Sequence, residues 1–91
     1  MRKLKDGKIY DTEKSIKLAT DFVSGGLNDR YDELYRTKKG NFFLVHYTRY
    51  QGECSYIEPV SEKEAIEAYT SMYDTILGIE EAFPSVEFEE A

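Results

Sequence analysis

The stretch that decides the fold is YDELYRTKKGNFFLVHYTRY, from Tyr31 to Tyr50. Two extended segments, Tyr31–Arg36 and Asn41–Tyr50, flank the turn Thr37-Lys38-Lys39-Gly40. Gly40 supplies the positive φ that a hairpin loop with a bulge requires. The second segment carries apolar groups on both of its alternating faces. The stretch therefore predicts a β-hairpin whose second strand lies inside a sheet.

The segments on either side of this hairpin extend the predicted sheet. Downstream, Gln51-Gly52 is a turn and Ser55–Val60 is a further strand. Upstream, Gly7–Tyr10 is a candidate short strand. Ser15–Val23 fits both the alternation of a strand and the spacing of a helix, and we interpret it as a strand. These segments together predict three or four antiparallel strands.

A helix is predicted to follow the last strand directly. Ser61 and Glu64 have the spacing of a capping box, in which each side chain satisfies a backbone N–H of the other residue. Gly78 is the expected end of the helix, and Pro84 closes the region. Between the capping box and Gly78, apolar residues recur at steps of three and four. They form one stripe that is expected to face the sheet: Ala65, Ile66, Tyr69, Met72, Tyr73, Ile76 and Leu77.

The pattern as a whole predicts an α+β fold. A three- to four-stranded antiparallel sheet is followed by one long C-terminal helix that packs on it. Residues 1–84 are expected to form a single α+β domain, and residues 85–91 an acidic tail.

Composition narrows the classes of protein to which the chain can belong. Its 91 residues are 41% hydrophobic and 14% aromatic, which suits one small folded domain and excludes a disordered chain. No apolar run approaches the ~20 residues that a membrane helix needs, so we expect a cytoplasmic protein. Cys54 is the only cysteine, which excludes a disulfide within the chain and any zinc or iron–sulfur site built from several cysteines.

Charge is divided unevenly along the chain. Residues 1–50 hold eleven Lys or Arg and seven Asp or Glu, a net charge of +4, whereas residues 51–91 hold one and eleven, a net charge of −10. Lys63 is the only basic residue after Arg49. A region of one sign repels itself, and nothing inside the region offsets that repulsion. The division favours an anionic surface for a cationic partner, although a solvated helix face and tail would look the same.

The sequence offers little support for catalysis. His46 is the only histidine and could act as a base for Cys54 across the Gln51-Gly52 turn. No loop of the oxyanion-hole type, no glycine-rich phosphate loop and no metal-ligand spacing accompanies this pair. We therefore expect a non-enzymatic protein without a cofactor or a metal, in which Cys54 is a small buried apolar residue.

Two sets of residues are candidates for binding a partner. The first set is acidic and could occupy a basic groove as nucleic acid does: Glu62, Glu67, Asp74, Glu80, Glu81, Glu87 and Glu89. The alternative set is the basic, tyrosine-rich hairpin, whose composition suits a small nucleic-acid-associated module: Arg36, Lys38, Lys39, Tyr47, Arg49 and Tyr50. The net charge of −6 argues against direct binding of nucleic acid. Pairing of the positive and negative halves in a homodimer is a third possibility.

Three blocks of the sequence resemble a family of small accessory proteins from Gram-positive bacteria, their prophages and other mobile elements. The blocks are GKIYDTE (Gly7–Glu13), LYRTKKGNFFL (Leu34–Leu44) and IEPVSEKEA (Ile57–Ala65). After Leu44 the chain departs from the family pattern, which is richer in glycine there, and it also has no tryptophan. The resemblance brings a genomic setting and no catalytic residues.

The resemblance also implies a class of function. Small acidic proteins of such elements include inhibitors of host defence, among them anti-CRISPR and anti-restriction proteins, some of which imitate DNA. By this analogy the chain is expected to inhibit a nucleic-acid-handling host protein, such as a CRISPR effector, by binding to it.

Overall fold

The computed structural model describes residues 1–91, which form two antiparallel sheets and two α-helices. Strands β1 (Arg2–Lys5) and β2 (Lys8–Asp11) make a two-stranded sheet, and a 3₁₀ helix (Thr12–Lys14) follows it. The larger sheet has five strands in the order β6-β5-β4-β3-β7. These strands are β3 (Ile16–Thr20), β4 (Arg30–Arg36), β5 (Phe42–Thr48), β6 (Tyr56–Val60) and β7 (Asp74–Thr75), and the helices are α1 (Glu62–Ser71) and α2 (Ile79–Ala82).

The central hairpin is confirmed. β4 and β5 pair in unbroken antiparallel register from Arg30 opposite Thr48 to Arg36 opposite Phe42. Gly40 has a φ of 89°, as the turn requires. β5 lies between β4 and β6, so it is an interior strand with both faces covered.

The interpretation of residues 15–23 as a strand is also confirmed over Ile16–Thr20. This strand pairs with β4, and its register shifts between Lys17 and Ala19. The shift is a β-bulge at Leu18, a residue that is fully buried. A bulge of this kind re-aims side chains, which explains why the apolar spacing of the segment fitted both periods.

The prediction of one long C-terminal helix is wrong. The capping box at Ser61 and Glu64 is present, but α1 has only ten residues and ends at Ser71. Met72 is extended, with a φ of −76° and a ψ of 150°, and β7 then pairs with the edge of β3. The backbone hydrogen bonds that a longer helix would have formed are replaced by bonds to this edge, including one from Ile76 to the carbonyl of Leu18.

The apolar stripe explains why the sequence misled on this point. Tyr73 and Ile76 continue the helical spacing beyond Met72, yet their side chains are 70% and 48% exposed. The edge of β3 would otherwise have unpaired backbone donors and acceptors, and β7 satisfies them. A longer helix would leave that edge unpaired. The chain after Met72 therefore pairs with the edge of β3, although its apolar spacing would also suit a helix.

The predicted number of strands is also wrong, because β1 and β7 are both additional to the strands expected from the sequence. β1 was not expected, because its four residues are all exposed and carry no apolar alternation against a core. Its partner β2 matches the expected short strand closely. Asp6 and Gly7 link them with φ values of 52° and 76°, which is the pattern of a tight two-residue hairpin turn. The fold is therefore mostly β-sheet. It has one five-stranded sheet, one two-stranded sheet and a single helix as long as ten residues, α1.

Each face of the five-stranded sheet carries its own core. On the face covered by α1 and α2, which we call the helical side, the buried residues are Leu18, Ala19, Leu34, Phe42, Ala65, Tyr69, Ala82 and Phe83. On the opposite face they are Tyr10, Tyr35, Phe43, Val45 and Ile57, and Tyr10 comes from the β1–β2 hairpin. The neighbours Phe42 and Phe43 thus point into different cores, as alternation along β5 requires.

Residues 85–91 contain neither helix nor strand, but they are not detached from the domain. The backbone N–H of Val86 donates to the carbonyl of Phe83 at 3.1 Å, and Val86 packs against the helical-side core. The ring of Phe88 lies edge-on to that of Phe83, with 6.4 Å between centroids. Neither helix has the length and apolar character needed to cross a membrane.

Candidate functional site

The acidic candidates all lie on elements that follow β6 in the chain. Two are on α1, one on β7, two on α2 and two in the C-terminal segment, and every one of them is exposed. No lysine, arginine or histidine nitrogen lies within 4.0 Å of any of their carboxylates. We call this set the acidic layer, and it consists of Glu62, Glu67, Asp74, Glu80, Glu81, Glu87 and Glu89.

The acidic layer is mounted on the helical-side core. Phe83 is 1% exposed, and its ring contacts Phe42 of the sheet and Tyr69 of α1, at centroid distances of 5.2 and 5.5 Å. The Tyr69 hydroxyl donates to the carbonyl of Leu77 at 2.6 Å, which ties α1 to the segment that leads into α2. The helix, the C-terminal segment and the sheet therefore meet at Phe83, and the carboxylates are carried by an ordered framework.

The capping box fixes the first turn of α1. Ser61 Oγ accepts from the Glu64 backbone N–H at 3.1 Å, and Glu64 Oε1 accepts from the Ser61 backbone N–H at 3.0 Å. These bonds hold the pKa of the Glu64 carboxyl below its usual value, chiefly through the backbone N–H of Ser61. Glu64 thus uses its charge locally, which distinguishes it from the acidic layer.

Within residues 61–91, Lys63 is the only basic residue. The last turn of α1 carries no cation, although its partial negative charge would favour one there. The mutual repulsion of the acidic layer is therefore not offset by any ion pair, although Arg36, Lys38 and Lys39 share a hollow with Glu62. A surface of this kind attracts cations from a distance of about one Debye length, roughly 8 Å at physiological salt.

The alternative, hairpin set is not brought together. Lys38 and Lys39 lie in the β4–β5 turn, whereas Arg49 and Tyr50 follow the other end of β5, a strand of seven residues. At about 3.3 Å per residue, the length of that strand separates the two groups by roughly 20 Å. The hairpin set is therefore two separate surfaces.

Two members of the hairpin set have structural contacts. The guanidinium of Arg36 donates from Nη1 to the carbonyls of Glu81 and Ala82, at 2.7 and 2.6 Å, and so caps the end of α2. Tyr47 is half-buried and stacks on Tyr31 at a centroid distance of 4.9 Å. Tyr50 remains exposed, with the Arg30 guanidinium 4.4 Å from its ring centre.

A row of three ionisable groups that the sequence analysis did not place together crosses three strands. His46 on β5 lies between Asp32 on β4 and Glu58 on β6. Its Nδ1 is 2.7 Å from Asp32 Oδ1, and its Nε2 is 2.8 Å from Glu58 Oε1. No signal in a single sequence could have grouped these residues, because only the register of the strands makes them neighbours.

The surroundings of His46 decide its chemistry. Partial burial lowers the pKa of the imidazole, but the hydrogen bonds to Glu58 and Asp32 outweigh that effect and raise it. With both ring nitrogens at hydrogen-bond distance from carboxylates, the geometry favours the doubly protonated ring, in which each N–H donates to a carboxylate. An imidazolium has no free lone pair with which to accept a proton from a thiol.

Cys54 lines the same cavity as His46, a hollow of about 430 Å³ that also includes Arg30, Glu53 and Tyr56. The thiol is exposed, so the expectation that Cys54 is a buried apolar residue is wrong. Arg30 and Glu53 form a two-bond ion pair at the rim, which raises the pKa of the guanidinium and lowers that of the carboxyl. His46 links the three strands through its hydrogen bonds to Asp32 and Glu58, which occupy both of its ring nitrogens.

No group of three or more His, Cys, Asp or Glu side chains is arranged to hold a metal ion. Comparison with protein-family models, with curated proteins and with solved structures finds no match for this chain. The residues themselves are therefore the basis for any statement about function.

Proposed function

We propose that this protein is a non-enzymatic binding protein that presents its acidic layer to a cationic surface on another protein. The observation that carries the proposal is that all seven carboxylates are exposed and none has a cationic partner within the domain. Elsewhere in the chain, acidic side chains such as Glu33, Asp32 and Glu53 are paired with cations. The acidic layer gathers seven unpaired carboxylates into one stretch of the chain, residues 61–91, in which Lys63 is the only basic residue.

The most suitable partner is a nucleic-acid-handling protein, because such proteins carry extended basic grooves that bind phosphates. Carboxylates spread over a helix, an edge strand and a C-terminal segment could occupy a groove of that kind as a mimic of nucleic acid. The resemblance of Gly7–Glu13, Leu34–Leu44 and Ile57–Ala65 to proteins of phages and mobile elements favours a host defence protein, such as a CRISPR or restriction effector. The protein would then inhibit its target by competing with DNA or RNA.

The energetics follow from many weak contacts. A single exposed pair of opposite charges contributes about 1 kcal/mol or less, so affinity must come from several carboxylates acting together. Such complexes form quickly, and their association rate falls as salt is added. Strong dependence on salt is therefore the signature of this mode of binding.

The proposal is tested by capture from a lysate of a Gram-positive bacterium. The tagged protein is incubated at about 50 mM and at about 0.5 M NaCl, which shortens the Debye length several-fold, and bound proteins are identified by mass spectrometry. We expect a basic nucleic-acid-binding protein at low salt and much less of it at high salt. If no such protein is captured under either condition, the proposal is wrong.

A second assay tests inhibition itself. The captured effector is purified, and its cleavage of DNA or RNA is measured with increasing amounts of the protein. We expect inhibition that added substrate relieves, since both would compete for one groove. Binding without any loss of nuclease or nucleic-acid-binding activity would contradict the mimicry.

A further inference from the structure

A concave surface lies between the β1–β2 hairpin and the β4–β5 turn, well separated in sequence from the acidic layer. Its volume is about 450 Å³, within the range of roughly 300–1,000 Å³ that holds small ligands. Five cationic side chains from four segments line it: Arg2, Lys8, Lys14, Lys38 and Lys39. We call this surface the basic groove.

The cations of the basic groove are largely unpaired. Lys8, Lys14, Lys38 and Lys39 have no carboxylate within 4.0 Å, and the only acidic residue in the lining is Asp11. Asp11 is paired with Arg2, whose Nε lies 3.9 Å from Asp11 Oδ2, and its Oδ1 accepts from the backbone N–H of Glu13 at 3.0 Å. The groove therefore has a strong net positive charge.

The groove is held in shape by contacts between its walls. Lys8 Nζ donates to Asn41 Oδ1 at 3.3 Å and so joins β2 to the β4–β5 turn. Within that turn, the Asn41 backbone N–H donates to Thr37 Oγ1, and the Thr37 backbone N–H donates to the carbonyl of Asn41. The cations that are distant in sequence are therefore brought to one place by the fold.

The other lining residues indicate which anion would fit. Ser15, Thr37 and Asn41 add hydroxyl and amide groups to the Lys and Arg side chains. This is the mixture of side chains that contacts phosphate oxygens in protein–nucleic acid complexes. Lysine binds phosphate well as a point charge, whereas bidentate recognition of a carboxylate relies mostly on arginine.

We infer that the basic groove binds adjacent phosphate groups, as found along a single nucleic-acid strand or in a polyphosphate. Tyr10, the one aromatic residue of the lining, is 7% exposed and packs edge-on against Phe43, so it offers no face for stacking a base. Binding is therefore independent of base sequence. The overall charge of −6 does not prevent it, because no residue of the acidic layer lines the groove, although Glu62 shares a neighbouring hollow with Lys38 and Lys39.

The test is fluorescence anisotropy with a labelled oligothymidine of about 20 nucleotides at low salt. We expect the logarithm of the binding constant to fall with the logarithm of salt concentration with a slope of about −2 to −3, as for three or four neutralised phosphates on a single strand. Inorganic tripolyphosphate added as a competitor separates the two sources of phosphate. Competition by tripolyphosphate, or its direct binding without the oligonucleotide, supports a phosphate site, and binding of neither probe overturns the inference.

Matched variants locate the site. Lys38→Gln/Lys39→Gln removes two cations of the groove, and Arg49→Gln/Lys63→Gln removes two exposed cations elsewhere, so both change the net charge equally. We expect the first variant to weaken binding about tenfold and to reduce the salt slope by about 1–2, and the second to change affinity less than twofold. Equal effects of the two variants would overturn the inference.

Light scattering in the absence of phosphate provides the remaining outcome. If the protein self-associates at low salt and Lys38→Gln/Lys39→Gln abolishes that association without any binding of phosphate probes, the groove receives the acidic layer of a second copy, and the inference is wrong. All these side chains are exposed, so the variants are expected to fold, and circular dichroism verifies it.

Discussion

The acidic layer and the basic groove are both exposed and largely unpaired, but they are held on the domain in different ways. The acidic layer is carried by α1, β7, α2 and the C-terminal segment, which depend on the helical-side core around Phe83. The basic groove is formed by a small hairpin and a turn, which are joined by short polar contacts such as Lys8 with Asn41. One fold can therefore display both signs of charge without any ion pair between the two surfaces, even where Glu62 shares a hollow with Lys38 and Lys39.

The separation has an energetic meaning. Opposite charges that lie close together in a folded chain usually form pairs, as Arg30 and Glu53 do here. The acidic layer and the basic groove instead leave their self-repulsion in place, which lowers the stability of the isolated domain. Surfaces of this kind are stabilised when a partner of opposite charge binds, so the comparison supports two independent binding surfaces.

The largest expected effect comes from removing the anchor of the acidic layer. Phe83→Ala deletes a fully buried ring that contacts the sheet, α1 and the C-terminal segment, and we expect a loss of about 3–5 kcal/mol in the free energy of unfolding. Urea unfolding measures it. As a control, Phe88→Ala removes a ring that is 38% exposed and should cost less than about 1 kcal/mol. Similar losses in both variants would show that Phe83 is not the anchor.

A smaller effect is expected where the hairpin end supports the helical side. Arg36→Ala removes two charge-assisted hydrogen bonds to the last carbonyls of α2 and should cost about 1–2 kcal/mol. Lys39→Ala, in the adjacent turn, should change the free energy of unfolding by less than about 0.5 kcal/mol. If Arg36→Ala were equally neutral, Arg36 would be free for binding, as the sequence first suggested.

The capping box supports the helix that carries Glu62 and Glu67. Ser61→Ala removes the acceptor for the Glu64 backbone N–H, so we expect a loss of about 1 kcal/mol in thermal or urea unfolding. Ser24→Ala, in an exposed loop, is the matched control and should be silent. A silent Ser61→Ala would mean that packing alone fixes the start of α1.

The smallest expected effect concerns His46, which pairs with Asp32 and Glu58, two acids that differ in this respect from the unpaired acidic layer. Because the folded protein raises the pKa of His46, its contribution to stability is complete below the unfolded value of about 6.5 and is lost as pH rises through the folded pKa. We expect the free energy of unfolding to fall, by less than about 1 kcal/mol, from pH 6 towards pH 8.5. The check is His46→Gln, which should remove this dependence; an unchanged pH profile in the variant would exclude His46 as its source.

The sequence was sufficient for the elements that depend on local signals. The central hairpin follows from Gly40 and the two-faced strand after it, and the start of α1 follows from the capping box of Ser61 and Glu64. The residues of the acidic layer could also be predicted from the sequence, because an excess of one charge along a segment is visible there. Its exposure and lack of partners had to come from the structure.

The elements that were missed depend on contacts between distant residues. The end of α1 is set by the edge of β3, about fifty residues earlier, which takes the backbone that the stripe through Tyr73 and Ile76 would have placed in a helix. Likewise, Lys14 and Lys38 meet in one groove, and Asp32 and Glu58 flank His46, only because of strand pairing. Register and topology of this kind leave no trace in local spacing.

The most direct test of the account compares two double charge reversals in affinity for the captured effector. Glu67→Lys/Glu87→Lys alters the acidic layer, and Glu13→Lys/Asp29→Lys changes the net charge equally at exposed acids outside it. Titration calorimetry at low salt gives the affinity of each. We expect the affinity of the first variant to fall at least tenfold, since it replaces attraction by repulsion at two contacts, and that of the second to stay within about threefold of the unaltered protein. Equal losses, or a first variant that binds like the unaltered protein, would contradict it.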